Sequence, residues 1–281
     1  MKITFLGTGL PIPNTNRAGQ GILISHKGVN VLFDVGPGVN RRIMEANIKH
    51  NDINHLVLTH LHWDHFGDYD ALVQTGFVTD RQEPLQVFGP HGTKEVTDLL
   101  FKHVYKRDLI YRTGIRGPGA WKEPEVTEVF GGYQFDIGPF HISTFRVSHG
   151  EYVDYSIAYR IECGGQSVVI SSDTAPVLGF DKFAKDCDIL IHEVMAGKPP
   201  SQFLTEANPE KSAEELVNMM GHCSPRQVGQ IAQASNAKKL MLIHLTPELP
   251  HDLTKQIGAY YDGEIEMTED LMVTELATVH I

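Results

Sequence analysis

Residues 60–65, with the sequence HLHWDH, constrain this chain more than any other stretch. They place three imidazoles and one carboxylate within six residues, directly after the apolar segment 53–59. Such a group costs desolvation and mutual repulsion unless a cation compensates, and imidazole and carboxylate are natural ligands of zinc and similar divalent ions. The apolar segment predicts a short buried strand, with the first two histidines in the loop at its end and Asp64 and His65 opening the next helix. We therefore expect half of a dinuclear metal site here.

The length of 281 residues fits one large α/β domain or two small ones, and 41% hydrophobic and 21% charged residues are ordinary for a globular protein. We expect a single domain spanning residues 1–281. The sequence has no run of eighteen apolar residues and no leader-like start, so we expect a cytoplasmic protein without a membrane span. The three cysteines are odd in number and form no CxxC pair, which argues against disulfides and thiolate-zinc sites.

The charge balance is acidic. Lys and Arg number 24 against 35 for Asp and Glu, which gives a formal net charge of −11. This balance argues against generic binding to nucleic acid or anionic membranes. Bound divalent cations would move the total toward zero and concentrate positive charge at their site.

Hydrophobic periodicity predicts alternating strands and helices. The predicted strands cover residues 2–6, 21–25, 31–35, 53–59, 85–88, 140–147, 155–162, 166–171, 188–191 and 239–243. The predicted helices cover residues 41–48, 66–79, 93–106, 180–185, 211–220 and 225–234. Each half of the chain begins with strands and continues with strand–helix alternation. This order predicts a layered α/β architecture in which two β-rich halves stack between helices.

Residues 107–125 contain three glycines and two prolines, and we expect an irregular loop insertion at about 101–125. The stretch 101–122 holds six basic residues and one acid, interleaved with two tyrosines and a tryptophan. It could serve as a substrate lip for an anionic aryl or nucleotide ligand, as a subunit contact, or as a solvated connector. The basic residues are Lys102, Lys106, Arg107, Arg112, Arg116 and Lys122.

Residue types that bind metals recur at the ends of predicted strands. Loops at strand ends are where α/β proteins commonly place their chemistry. A single histidine in such a place is usually not a ligand. The joint pattern with HLHWDH is much stronger, and its members are His60, His149, Asp173, His192 and His244.

These residues, in this order, resemble the metallo-β-lactamase superfamily across nearly the whole chain. The resemblance implies an αββα sandwich, with two mixed sheets face to face, helices outside, and two divalent metal ions at one edge. Zinc is expected, with manganese or iron as alternatives. Asp34 matches the family's strand-end aspartate that supports the ligand loop, although an ordinary turn-capping role is an alternative. The implied ligands are His60, His62 and His149 on one metal, Asp64, His65 and His244 on the other, and Asp173 bridging both.

Within the superfamily, the second half resembles the tRNase Z branch with its arylsulfatase-like and phosphodiesterase-like relatives. The matching segments are 191–193 (IHE), 221–225 (GHCSP), 242–245 (LIHL) and the opening GTGxPxP with Arg17. In that branch the equivalent of His222 lies beside the metals without binding them, oriented by the equivalent of Glu193. Held in this way, His222 would stay protonated near neutral pH and could protonate a leaving group or stabilise an oxyanion. An N-cap role for His222 is the alternative, and we expect Cys223 to serve packing.

The resemblance implies a dinuclear hydrolase that uses a metal-bridging hydroxide as nucleophile, with catalytic roles for Asp64, His222 and Glu193. The tRNA-processing members carry a long basic arm between the positions of His149 and Asp173, where this chain has 23 residues. This difference favours a small anionic ester, a phosphodiester or aryl sulfate, and disfavours nucleic acid. The alternatives are a tRNase Z-type endoribonuclease, a lactone or β-lactam hydrolase, and a non-catalytic metal- or RNA-binding module. The resemblance also implies a homodimer.

Overall fold

Two seven-stranded sheets form the centre of the computed structural model, which describes residues 1–150, 153, 155–196 and 202–276. The first sheet contains β1 (Lys2–Gly7), β2 (Gly21–His26), β3 (Val29–Phe33), β4 (His55–Val57), β5 (Gln86–Gly89), β6 (Glu125–Glu128) and β14 (Val273–Glu275). The second contains β7 (Gln134–Ile137), β8 (Phe140–Val147), β9 (Ser156–Cys163), β10 (Gln166–Ile170), β11 (Ile189–Glu193), β12 (Lys239–Ile243) and β13 (Glu264–Met267). The spatial orders are β14-β1-β2-β3-β4-β5-β6 and β13-β12-β11-β10-β9-β8-β7.

Helices lie on the outer faces of both sheets. On the first half are α1 (Val39–Glu45), α2 (Trp63–Phe66), α3 (Tyr69–Val78), α4 (Thr93–Asp98) and α5 (Lys106–Arg116), with a short 3₁₀ turn at His50–Asp52 and a π-helical stretch at Leu99–Val104. On the second half are α6 (Phe180–Phe183), α7 (Gln202–Ala207), α8 (Ala213–Met219), α9 (Pro225–Ser235) and α10 (Leu253–Gly258). Ser212 and Ser224 begin α8 and α9 with capping boxes, which satisfy the free N–H groups of the first turns.

Three apolar cores hold these layers together. One lies between the sheets and includes Phe33 and Tyr159, whose rings meet edge to face at 5.7 Å. The other two lie between each sheet and its helices and include Leu72 on the first side and Val228 on the second. The layer order is therefore helix, sheet, sheet, helix, which confirms the predicted αββα sandwich.

Parallel pairing brings strand ends to one edge of each sheet. Strands β3, β4, β5 and β6 pair in parallel in the first sheet, as do β10, β11, β12 and β13 in the second. Carboxyl ends of neighbouring parallel strands lie together, so the loops that follow them are neighbours in space. This arrangement explains why residues far apart in sequence can form one site.

Two hydrogen bonds tie the sheets together beside the HLHWDH loop. The Tyr159 hydroxyl on β9 donates to the Leu58 carbonyl at 2.8 Å, and the Ile157 amide donates to the Thr59 carbonyl at 3.0 Å. Leu58 and Thr59 directly precede His60, so the second sheet fixes the start of the ligand loop on the first.

The predicted strands 140–147 and 239–243 are found with the same bounds, as β8 and β12. The predicted loop at 107–125 is wrong for its first part, because Lys106–Arg116 is helical. Three features support the helix: Arg112 pairs with Asp108 one turn earlier at 2.6 Å, Leu109 is buried in the core, and Arg116 pairs with Asp80 on another segment. Gly114 is tolerated inside the helix, and Gly117, with a φ of +98°, ends it.

The three cysteines are buried and unpaired, as the sequence predicts. Along the described part of the chain, no helix is both long and apolar enough to cross a membrane.

We expect Tyr159→Phe to lower the free energy of unfolding by about 1–3 kcal/mol, because the buried Leu58 carbonyl loses its hydrogen-bond donor. Denaturant unfolding measures the change. The control is Tyr111→Phe, since Tyr111 is 67% exposed. Equal stability of the two variants would contradict the proposed coupling between the sheets.

Candidate metal centre

Seven predicted ligand side chains converge where the two sheets meet. The loop after β4 and the helix α2 supply four of them from the first sheet. The segments that follow β8, β10 and β12 supply the other three from the second sheet. In chain order the seven are His60, His62, Asp64, His65, His149, Asp173 and His244.

The first group of ligand atoms consists of three imidazoles. Nitrogen atoms of His60, His62 and His149 lie within 4.8 Å of one another, and His149 Nε2 lies 3.0 Å from His62 Nδ1. His60 and His149 are buried, whereas His62 is exposed. This group is therefore open to solvent on the side of His62.

The second group contains two carboxylates and two imidazoles, and all four side chains are buried. Asp64, His65, Asp173 and His244 offer ligand atoms within 4.8 Å of one another. Asp173 Oδ2 lies 3.3 Å from His65 Nε2 and 3.2 Å from His244 Nε2, and it also lies 3.7 Å from His149 Nε2. One carboxylate oxygen thus faces both groups, as a bridging ligand would.

The donor set fits divalent metal ions. His60 Nε2, His65 Nε2 and Asp173 Oδ1 are buried and have no hydrogen-bond partner among the described residues. Burial lowers the pKa of His149 to about 4, and it lowers the pKa of His60 well below its ordinary value. Despite burial, the neighbouring histidines His244 and His65 hold the pKa of Asp173 well below its usual range. Neutral imidazoles around an ionised carboxylate are the protonation states that metal binding requires.

His65 shows how strongly the site favours positive charge. Burial lowers its pKa, but the carboxylates of Asp173 and Asp34 outweigh burial and raise it well above the ordinary value. Burial also raises the pKa of Asp34, whose Oδ2 lies 2.8 Å from His65 Nδ1. We place the proton on His65, because His65 also faces Asp173. A divalent cation at Nε2 would supply the same positive charge.

Hydrogen bonds on the far side of two imidazoles aim their Nε2 atoms at the centre. His65 donates from Nδ1 to Asp34, which also accepts from the Thr59 amide and hydroxyl at 2.8 Å each. His149 donates from Nδ1 to the Gly221 carbonyl at 2.9 Å. Such partners fix the tautomer and orientation of metal-binding histidines. Asp34 therefore supports the ligand loop, as the resemblance implied.

His222 lies at the rim of both groups. Its ring packs against His149 at 4.8 Å and stacks on His244 at 5.1 Å, and its Nδ1 lies 3.3 Å from Glu193 Oε2. Glu193 is fully buried at the end of β11, and its other oxygen accepts from the Cys223 amide at 2.8 Å. Burial lowers the pKa of His222, but Glu193 overrides this effect and raises it to about 9. The Glu193 carboxylate therefore favours the imidazolium form of His222 near neutral pH.

The N-cap alternative for His222 is wrong, because Ser224 caps α9. Cys223 serves packing, as predicted: it is buried, it donates to the Thr174 carbonyl, and burial raises the pKa of its thiol well above the ordinary value. His192 also follows the strand-end pattern but lies outside the ligand groups, with its ring against Phe180 at 5.6 Å. Neighbouring residues of a strand face opposite sides, so Glu193 faces the site and His192 does not.

Two contributions to this region were missed by the sequence argument. The buried side chain of Asp270 accepts hydrogen bonds from Thr8, from the Ala18 amide and from Arg42. These bonds hold the loop after β1 against the site. Trp63 lies between two ligands, and its side chain is 53% exposed. A tryptophan inside the ligand motif is visible in the sequence, whereas no local sequence pattern marks Asp270.

We expect Asp34→Asn to weaken metal affinity about 10- to 100-fold, because His65 loses its anionic partner. Competition with a chromogenic chelator measures the affinity. The matched control is Asp136→Asn, which changes a carboxylate paired at 2.7 Å with the exposed His141. Unchanged affinity in Asp34→Asn would contradict the orienting role.

Comparisons with known proteins give consistent results. Residues 29–245 match the family described as Beta-lactamase superfamily domain. The chain is 32% identical over 279 residues to a protein named Ribonuclease Z from Mycolicibacterium gilvum, with 96% of this chain and 94% of that relative covered.

Two solved structures share the fold. The metallo-beta-lactamase fold protein YhfI from Bacillus subtilis aligns with a TM-score of 0.78 at 22% identity, covering 98% of each chain. The short form of human tRNase Z aligns with a TM-score of 0.71 at 24% identity, covering 99% of this chain and 100% of that one.

Proposed function

This chain belongs to the metallo-β-lactamase superfamily and is a metal-dependent hydrolase of ester bonds, and we propose that it cleaves phosphodiester bonds in RNA as a ribonuclease Z-type enzyme. The observation that carries the proposal is the buried Glu193–His222 pair beside two groups of metal-ligand residues. A cationic acid at this position suits the departure of a poorly leaving alkoxide, as in RNA cleavage. Similarity to a relative named Ribonuclease Z over 96% of the chain adds support.

This proposal reverses the preference for small esters that the sequence argument favoured. That preference rested mainly on the short β9–β10 hairpin between His149 and Asp173, which leaves no room for a long arm. The alignment with the relative named Ribonuclease Z extends over 279 residues and covers 96% of this chain, so the aligned part of the relative has room for a short insertion relative to this chain and not for a long arm. A missing arm therefore does not separate this chain from proteins of that name.

We assign the seven converging side chains to two divalent metal ions, with zinc as the proposed metal because histidine dominates the set. When bound, such ions supply a nucleophile at neutral pH and neutralise charge on phosphate oxygens. Asp173 would bridge the two positions, since its Oδ2 faces histidines of both groups. Asp34 and the Gly221 carbonyl keep His65 and His149 in place throughout the reaction.

His222 would act as the general acid. Its Nδ1 faces Glu193 at 3.3 Å, which leaves Nε2 to donate a proton to the oxygen that leaves phosphorus. Glu193 stabilises the charged imidazolium before transfer, and its hydrogen bond from the Cys223 amide keeps it from rotating away. After the transfer His222 is neutral and regains a proton from water, which its raised pKa favours.

Hydrolysis of small aryl phosphodiesters or aryl sulfates is the second candidate, favoured by the net charge of −11. A parallel assay separates the two, using precursor tRNA, an aryl phosphodiester, an aryl sulfate, a cyclic nucleotide and a lactone with the zinc-loaded protein. We expect the highest kcat/KM for precursor tRNA. Turnover of the small esters while precursor tRNA remains uncleaved would favour the second candidate.

We expect His222→Ala to retain bound metal and lose turnover about 10²- to 10⁴-fold, since it removes the acid and leaves the seven ligands. His60→Ala and Asp173→Ala should lose metal and activity together. Elemental analysis and kcat/KM measure the two properties. The control is His141→Ala, which removes an exposed histidine that also pairs with a carboxylate. Full activity of His222→Ala would refute the general-acid assignment.

A further inference from the structure

A groove with a volume of about 340 Å³ lies directly beside Asp64. Its walls come from the loop after β1, residues 10–15, and from the start of α1. Three arginines and one tryptophan line it, against a single carboxylate, Asp64. In a chain with a net charge of −11, this concentration of guanidinium groups marks the groove as a place for an anionic ligand. The four side chains are Arg17, Arg41, Arg42 and Trp63.

Trp63 offers an exposed ring at a fixed position in this groove. It opens α2 between His62 and Asp64, and its carbonyl accepts from the Gly67 amide at 2.7 Å. Just over half of the side chain, 53%, is exposed. A flat ring of this kind next to cationic groups is a platform on which a nucleobase can stack.

The three arginines differ in how many protein contacts hold them. Arg42 donates to Asp270 at 2.9 Å and to Glu45 at 2.6 Å, which anchors it in the wall. Arg17 donates to the Thr8 hydroxyl and the Thr268 carbonyl, at 2.6 and 2.7 Å. Arg41 pairs only with Glu45 among the described residues, and its side chain is 82% exposed. Arg41 is therefore the guanidinium best placed to contact a phosphate that enters from solvent.

We propose that this groove binds the nucleotide on the non-leaving side of the scissile phosphodiester, with its base stacked on Trp63 and the next phosphate paired with Arg41. The inference rests on the proposed function, because it takes His222 as the donor to the leaving group. Asp64 lines the groove and His222 does not, so the groove lies away from the leaving oxygen. Trp63 and Arg41 thereby select nucleotide esters over simpler ones, and they take no part in bond cleavage.

Esters that share one leaving group test this selectivity. The zinc-loaded protein is assayed on methyl 4-nitrophenyl phosphate and on the 5′ and 3′ 4-nitrophenyl phosphate esters of thymidine, which differ only on the non-leaving side. We expect the better thymidine ester to exceed the methyl ester in kcat/KM by about tenfold or more, through stacking. Trp63→Ala should remove most of this ratio, Trp63→Phe should restore part of it, and Arg41→Ala should reduce binding of a thymidine dinucleotide ester.

Matched controls are available on α5. Arg112→Ala removes an exposed arginine that pairs with a carboxylate four residues away, as Arg41 does, and Tyr111→Ala removes an exposed aromatic ring. Both should keep the wild-type ratio. Equal kcat/KM for thymidine and methyl esters in the wild type, or a wild-type ratio in Trp63→Ala, would refute nucleotide binding in the groove. Neither result would contradict phosphodiester hydrolysis.

A binding measurement separates this inference from the proposed function. The chain has two tryptophans, Trp63 and the half-buried Trp121. We expect thymidine 5′-monophosphate to quench the tryptophan fluorescence of the wild type and of Trp121→Phe, and to have no effect on Trp63→Phe. Quenching without turnover of any ester would refute the proposed function and support the groove. Unchanged fluorescence of Trp121→Phe at high nucleotide concentration would refute nucleotide binding in the groove, whether or not the protein hydrolyses esters.

Discussion

The structure depends on one buried carboxylate. Asp173 is only 2% exposed, and a carboxylate in such a place is stable only when positive charge surrounds it. Four imidazoles surround it, and they can provide positive charge either by protonation or by binding a metal ion. The loops that carry these imidazoles lie at the same edge of the two sheets. The Nε2 atoms lie 3.2 to 3.9 Å from Asp173 Oδ2 and belong to His244, His65, His149 and His60.

Backbone geometry at the site shows that the fold imposes this arrangement. Asp34, Ser172 and His244 follow the ends of β3, β10 and β12 with φ values of +59°, +59° and +57°. Residues other than glycine adopt this left-handed conformation at a cost, and they keep it where surrounding structure over-determines them. Packing in the sheets therefore offsets the local backbone strain at these three turns. The turns position Asp34, which pairs with His65, and the side chains of Asp173 and His244.

Much of the site could be predicted from sequence, because its ligands follow apolar runs that are strong local signals. The bounds of β8 and β12 were predicted for this reason, and His149 and His244 stand close behind them. The helix α5 could not be predicted from glycine and proline content, since Leu109 and the tie from Arg116 to Asp80 depend on tertiary packing. Asp270 was invisible for a similar reason, as its partners lie 228 to 262 residues away.

The predicted ligands span residues 60 to 244 and come from both sheets, so the predicted ligand set is complete only when the two halves of the sandwich are packed together. An ion that binds the folded chain and not the unfolded one adds about 2.7 kcal/mol of stability when its free concentration is a hundred times its dissociation constant. Metal ions bound by these residues would thus act as a cross-link between the halves. The lifetime of the protein against proteolysis would then be coupled to the cell's supply of free metal, independently of any substrate.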